Sequence, residues 1–144
     1  MYTILNLKKE KYKFHEKQLN KIYNESFLSN NNNFIGSLFG NNKYFIYALC
    51  ENDILLSVFI GLKVLNDIDI ISIFTNISHR RKGHAKTIIK YVLNKYINHN
   101  FFLEVSHKNI EANRLYDSLG FIDVGIRENY YKKDDHAIIK SIKV

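Results

Sequence analysis

The chain's 144 residues, 46% apolar and 24% charged, suit a single domain over 1–144, long enough to bury a core and too short for two. No unbroken apolar run approaches the ~20 residues of a bilayer span, and Met1-Tyr2-Thr3-Ile4-Leu5 runs into lysines without the order of a signal peptide, so a cytoplasmic protein off the membrane is expected. The net charge of +7 is scattered over 17 lysines and four arginines, beside abundant isoleucine, asparagine and tyrosine and no proline or tryptophan; this skew looks like AT-rich coding and does not by itself predict a nucleic-acid partner.

The first forty residues say little about function. Lys8-Lys9-Glu10-Lys11-Tyr12-Lys13 reads as solvated surface. Leu19, Ile22, Tyr23 and Phe27 recur at helical spacing and predict a helix around His15 to Ser26. Asn30-Asn31-Asn32-Asn33 reads as a loop, with a short helix near Phe34 to Phe39. Lys43 to Cys50, Leu55 to Leu65 and Asp67 to Asn76 are strand-like runs separated by polar turns and predict an antiparallel meander. The lone Cys50 lies in the first of them, where a thiol is usually inert filler, and no Cys/His spacing suggests a metal. Ile68 to Phe74 is apolar and β-branched enough for a central strand covered on both faces.

After that strand comes Ser78-His79-Arg80-Arg81-Lys82-Gly83-His84-Ala85, a basic, glycine-containing loop. Behind it Ala85, Ile88, Ile89, Val92, Leu93 and Tyr96 form one face of a helix. A helix N-terminus leaves backbone N–H groups unpaired and partly positive, so strand, basic loop and helix together make a site for a pyrophosphate. Gly83 lets a ligand approach the main chain, Ala85 keeps the first turn narrow, and two of the four arginines stand side by side where planar forks suit phosphate oxygens. His79 and His84 flank the loop and are expected to be solvated. The remaining elements are a strand over Phe101 to Val105, a helix over Ile110 to Leu119, and strands over Phe121 to Tyr131 and Ala137 to Lys143, which makes a mixed α/β sheet with about four helices.

Pattern alone leaves the polar candidates open. Tyr116 shares a helical face with Ala112, Leu115 and Leu119 and reads as a core tyrosine; Glu104 interrupts an apolar strand and reads equally as a solvated or lysine-paired carboxylate. Tyr130 and Tyr131 are adjacent in a strand, so alternation lets at most one of them face a substrate.

Taken together, Arg80-Arg81-Lys82-Gly83-His84-Ala85, the strand ending Leu103-Glu104-Val105, the helix reading Leu115-Tyr116-Asp117-Ser118-Leu119-Gly120-Phe121, and Asn129-Tyr130-Tyr131 resemble the GCN5-related N-acetyltransferases (GNAT), and within them the RimI branch of ribosomal-protein alanine N-acetyltransferases. The resemblance covers roughly residues 43 to 144. It implies a mostly antiparallel central sheet of about seven strands, with acetyl-CoA held between two splayed central strands. By the same resemblance, Arg80, Arg81, Lys82, Gly83, His84 and Ala85 bind the co-substrate's pyrophosphate, and Asn109 contacts its pantetheine arm. Glu104 accepts a proton from the amine and Tyr116 donates one to the departing thiolate. Tyr130, Tyr131 and Phe27, in the segment between the first two helices, shape the acceptor site. A backbone N–H near Thr75 is the expected oxyanion donor.

The chemistry agrees with those roles, since acetyl transfer needs a neutral amine, a stabilised oxyanion and a protonated leaving thiolate. The leading expectation is a monomeric N-alpha-acetyltransferase, without a metal, acting on the N-terminal alanine of a small-subunit ribosomal protein. The alternatives are an acetyltransferase for a small amine such as a polyamine or aminosugar, and a non-catalytic acyl-CoA-binding module. A basic acceptor tail meeting a basic enzyme would need local acidic residues, with Glu51, Asp67 and Glu111 as candidates.

Overall fold

The computed structural model describes residues 1–144, the side chain of Glu10 excepted. Seven strands form one sheet in the order β1-β2-β3-β4-β5-β7-β6. They are β1 (Tyr2–Asn6), β2 (Tyr44–Glu51), β3 (Ile54–Val64), β4 (Asp67–Thr75), β5 (Asn100–Ser106), β6 (Ile122–Lys132) and β7 (Asp135–Lys143). The helices are α1 (Lys9–Phe27), α2 (Phe34–Leu38), α3 (His84–Lys95) and α4 (Ile110–Ser118). Only β4 and β5 run parallel; the other neighbours are antiparallel, and β2-β3-β4 is the expected meander.

The sheet separates two cores, and alternation along β2 serves both. Ile46, Ala48 and Cys50 join Leu19 and Ile22 of α1 and Ile35 of α2 on one face. Tyr47 and Leu49 join Ile88, Ile89 and Val92 of α3, with Phe101 and Leu103 of β5, on the other. Burial pushes the Cys50 thiol up to about 11, first through desolvation and then through Asp53, so it stays a protonated filler group.

Two features of the N-terminal region differ from expectation. Residues 2–6 form a strand, paired to β2 from Tyr2↔Glu51 to Asn6↔Tyr47. Five residues with a mostly exposed pattern carry no periodicity of their own, so the long partner strand defines them. Helix α1 begins at Lys9 rather than near His15. The lysine-rich segment is its first turn and a half, held down by buried Tyr12, whose ring packs on Phe39 at 4.9 Å. Those lysines are exposed on the helix surface.

The pairing of β4 decides the rest of the architecture. Its register on β3 shifts between Ile60 and Gly61, leaving Ile71 as an extra residue. On the other side it pairs with β5 only from Asp67↔Asn100 to Asp69↔Phe102, although both strands continue, so the two splay apart as expected. Central position does not bring full cover: Ile68 and Phe74 are buried, but Ile70 and Ile73 are half-buried and Ile71 is exposed, because no strand fills the wedge. This corrects the expectation of a strand covered on both faces.

Candidate active site

Downstream of the bulge, Asn76 donates its N–H to the Leu56 carbonyl at 2.8 Å, continuing the ladder in which Thr75 lies opposite Ser57. Antiparallel pairs alternate between hydrogen-bonded and non-hydrogen-bonded. The pairs of Thr75 and Ile73 are therefore of the second kind, and their amides and carbonyls point away from β3 into the wedge. Thr75 was the expected backbone donor; Ile73 was not legible, because its orientation depends on the bulge.

The wedge opens at one end into a cleft of about 480 Å³ lined by Thr75, Arg80, Gly83, Ala85, Asn109 and Tyr116, among others. Arg81 and His84 also border it, as does Lys86, which the loop pattern omitted. The loop backbone is shaped for an anion. Arg81 and Gly83 both have positive φ, 63° and 81°, the left-handed backbone that anion-binding loops use, and no acidic residue lies in the first turn of α3. Nothing in the protein lies within 4 Å of a Cβ built on Gly83, so glycine is required there by conformation and leaves space for a ligand. Gly83→Ala is expected to weaken acetyl-CoA binding about tenfold with little change in melting temperature, because the free loop relaxes out of the left-handed conformation and binding must restore it at a cost of roughly 1.4 kcal/mol. Titration calorimetry measures it, and unchanged affinity would remove the loop from the co-substrate site.

The arginine pair divides its work. The Arg80 guanidinium folds back, donating to the Thr75 carbonyl and the Ser26 hydroxyl, both at 3.2 Å, and so ties the loop to β4 and the end of α1. Arg81 projects outward, 4.0 Å from Glu111 and highly exposed, and Lys82 is exposed as well. Asn109 caps α4 by accepting the Ala112 N–H at 3.1 Å. His84 is buried rather than solvated, edge-on to Tyr2 at 5.5 Å. Desolvation first, then the charges of His79 and Lys82, lower its pKa, so it is neutral at pH 7. Phe27 lines this cleft, against Phe74, and stands apart from the paired tyrosines.

A second hollow, about 560 Å³, borders the other side of the wedge and is lined by Asp69, Ile71, Glu104, Arg127, Tyr130 and Tyr131, among others. Arg127 Nε lies 3.2 Å from the Glu104 carboxylate and its guanidinium 5.6 Å from the Tyr130 ring centre. Both tyrosines face this hollow, against the alternation argument, since the register of β6 on β7 breaks between Arg127 and Lys132 and Asn129 adopts a φ of 53°. The acidic lining is Asp69 and Glu104. Asp67 accepts a bond from Asn100, and Glu111 faces Arg81.

Tyr116 and Glu104 thus stand in adjoining hollows, with Tyr131 in electrostatic range of both. Tyr131 is pushed up by burial and then by the Glu104 charge; Tyr116 is pushed up to about 12 by burial and then by Tyr131. A phenol that stays protonated, a carboxylate and two outward-turned amides around an open wedge beside an anion loop can together serve an acyl transfer. Among the described residues no cluster of three or more His, Cys, Asp or Glu is arranged to hold a metal.

Known proteins share this fold. Residues 3–121 match the model of the acetyltransferase (GNAT) family. The [ribosomal protein bS18]-alanine N-acetyltransferase of Haemophilus ducreyi is 29% identical over 105 residues, covering 69% of this chain and 72% of its own length. The crystal structure of the ribosomal-protein-S18-alanine N-acetyltransferase from Escherichia coli superposes with a TM-score of 0.85 at 22% identity, over 99% of this chain and 93% of that one. The structure of yncA from Salmonella typhimurium, solved with its cofactor acetyl-CoA, gives 0.80 at 13% identity over 99% and 93%. With most of the chain matched by the family model and the splayed sheet and anion loop in place, the protein belongs to the GNAT family and is an acetyl-CoA-dependent N-acetyltransferase.

Proposed function

We propose that the acceptor is the α-amine of a protein N-terminus, and specifically an alanine-initiated ribosomal protein. The observation that carries this reading is the hollow beside Glu104, walled by Tyr130 and Tyr131 together. Two flat amphipathic rings at an open mouth suit an extended peptide better than a compact polyamine or sugar. The relatives that bear the name of ribosomal-protein alanine acetyltransferases support the same acceptor. An α-amine has a pKa of roughly 8 against about 10.4 for lysine, so far more of it is neutral near pH 7.

In this reading Glu104 takes one proton from the α-ammonium group, directly or through water, and the neutral nitrogen then bonds to the thioester carbon. The Thr75 and Ile73 amides in the wedge stabilise the oxyanion. The carbon–sulfur bond then breaks, and the leaving sulfur, hydrogen-bonded by Tyr116, takes up the second proton that the nitrogen loses as the amide forms and departs as the thiol. With Tyr116 near 12 and a thiol near 8.5, full proton loss from the phenol is uphill by about 5 kcal/mol, so its main contribution is the hydrogen bond to developing charge. The loop amides and Arg81 hold the pyrophosphate. Asn109, at the mouth of α4, borders the pantetheine arm, and Phe27 closes the α1 side of the cleft.

The test is acetyl-CoA-dependent modification of an alanine-initiated ribosomal peptide, with mass spectrometry locating the acetyl group. Label on the α-amine supports the reading; label only on small amines overturns it. In the same assay Tyr116→Phe is expected to lower kcat about tenfold with the KM for acetyl-CoA within twofold. Because the phenol is held protonated until the pH nears 12, the unsubstituted enzyme should show no alkaline limb from Tyr116 below about pH 11.

A further inference from the structure

The irregular stretch of β6 that turns both tyrosines into one hollow is held by a side chain from the neighbouring strand. Between Arg127↔Ala137 and Lys132↔Asp135 the register of β6 on β7 shifts, so residues 128–131 have no directly opposite partners on β7 to fix them. Asn129, in the middle, has a left-handed φ of 53°. Its N–H is donated to His136 Nδ1 at 2.8 Å, and its side-chain oxygen accepts the Asp134 N–H at 2.8 Å. An N–H can only donate, so His136 Nδ1 is the acceptor and the ring proton sits on Nε2.

His136 is itself clamped to the end of β5. Its N–H is donated to His107 Nδ1 at 3.0 Å, its carbonyl accepts the His107 N–H at 2.9 Å, and the two rings stack with centres 4.8 Å apart. Beside them the Ser106 hydroxyl bonds the Asp135 carboxylate. A continuous set of contacts therefore runs from β5, three residues after Glu104, through His107 and the His136 ring to Asn129 and the adjoining Tyr130 and Tyr131.

We propose that His136 is a positioning residue for the acceptor site: its Nδ1, clamped against His107, holds Asn129 in the conformation that turns Tyr130 and Tyr131 together toward Glu104. The functional half of this inference rests on the reading of the tyrosine-walled hollow as the acceptor site; the structural half does not. No atom of His136 contacts the reacting groups in this account. It acts through the Asn129 backbone and on the acceptor side alone.

The experiment uses the full chain with His136→Ala, which removes the acceptor atom, and His136→Asn, whose amide oxygen can take the place of Nδ1. The Asn129 amide is expected to be protected from hydrogen exchange at least a hundredfold in the unsubstituted protein, to exchange at least tenfold faster in the alanine variant, and to regain protection in the asparagine variant. With the alanine-initiated peptide, His136→Ala should raise the peptide KM about fivefold while the acetyl-CoA KM and the saturated kcat stay within twofold, and His136→Asn should restore most of the peptide KM. An unprotected Asn129 amide in the unsubstituted protein overturns the proposal without any variant, which covers the case of an alanine variant that does not fold. Equal rises in both KM values, tracking a loss of thermal stability, also overturn it, since that marks a merely structural role. If the unsubstituted protein acetylates no peptide yet Asn129 exchange still depends on His136, the clamp stands and the acceptor reading falls.

Discussion

Glu104→Gln is expected to lower kcat/KM for the peptide about a hundredfold at pH 7, roughly 2.7 kcal/mol of transition-state stabilisation. Glutamine keeps an oxygen for the Arg127 Nε that lies 3.2 Å from the native carboxylate, so the guanidinium is not orphaned and the substitution isolates proton acceptance. Positioned bases contribute about 10² to 10⁴, and the lower end applies because an α-amine is already about one-tenth neutral at pH 7. The loss should shrink toward tenfold at pH 9, where most of the amine is neutral without help. Steady-state kinetics across that range check it. A deficit that does not change with pH would assign Glu104 to holding Arg127 and the hollow's shape rather than to the proton.

The largest effect on stability is expected at Gly61→Ala, about 2.5 kcal/mol, or a fall in melting temperature of about 8 °C for a chain of this size. Gly61 lies opposite Phe45 across the β2–β3 ladder, and the Phe45 ring lies over it in place of a side chain. A Cβ there would meet three ring carbons at 2.3, 2.6 and 2.9 Å. Retreat of the half-buried ring is blocked by Phe59 at 5.9 Å, Tyr96 at 5.0 Å and Tyr47 at 5.7 Å, which leaves only its solvent side open. Gly40→Ala, where the nearest atom is the Ser37 carbonyl at 3.6 Å, serves as the control and should stay within about 0.5 kcal/mol. Phe45→Leu added to Gly61→Ala should recover part of the loss by giving the new methyl room. Urea and thermal denaturation measure all three, and a Gly61→Ala shift below 2 °C would mean that the ring moves aside at little cost.

What could be read along the chain was whatever one element states by itself. The 3.6-residue repeat from Ala85 to Leu93 marks the buried face of α3, and the basic Arg80–Ala85 segment in front of it marks an anion loop, because helix amphipathicity and free N-terminal amides are local properties. The order of strands and helices from α1 onward was likewise legible, and the joint spacing of the Glu104 strand, the Tyr116 helix and the Tyr130-Tyr131 pair carried the family. The N-terminal edge of the sheet and the tyrosine-walled hollow were not. Strand β1 exists through its pairing with β2, and His84 is buried because Tyr2 of that strand covers it. The Ile73 and Thr75 amides turn into the wedge because a bulge at Ile71 resets the alternation of β4, and Asp69 reaches the hollow because β5 parts from β4 at that point. Both tyrosines face one hollow because His136, from another strand, holds Asn129 in a left-handed turn. Periodicity reports which face of an element is apolar; register shifts, bulges and neighbours across strands depend on contacts between residues far apart in the chain, so only the tertiary structure decided them.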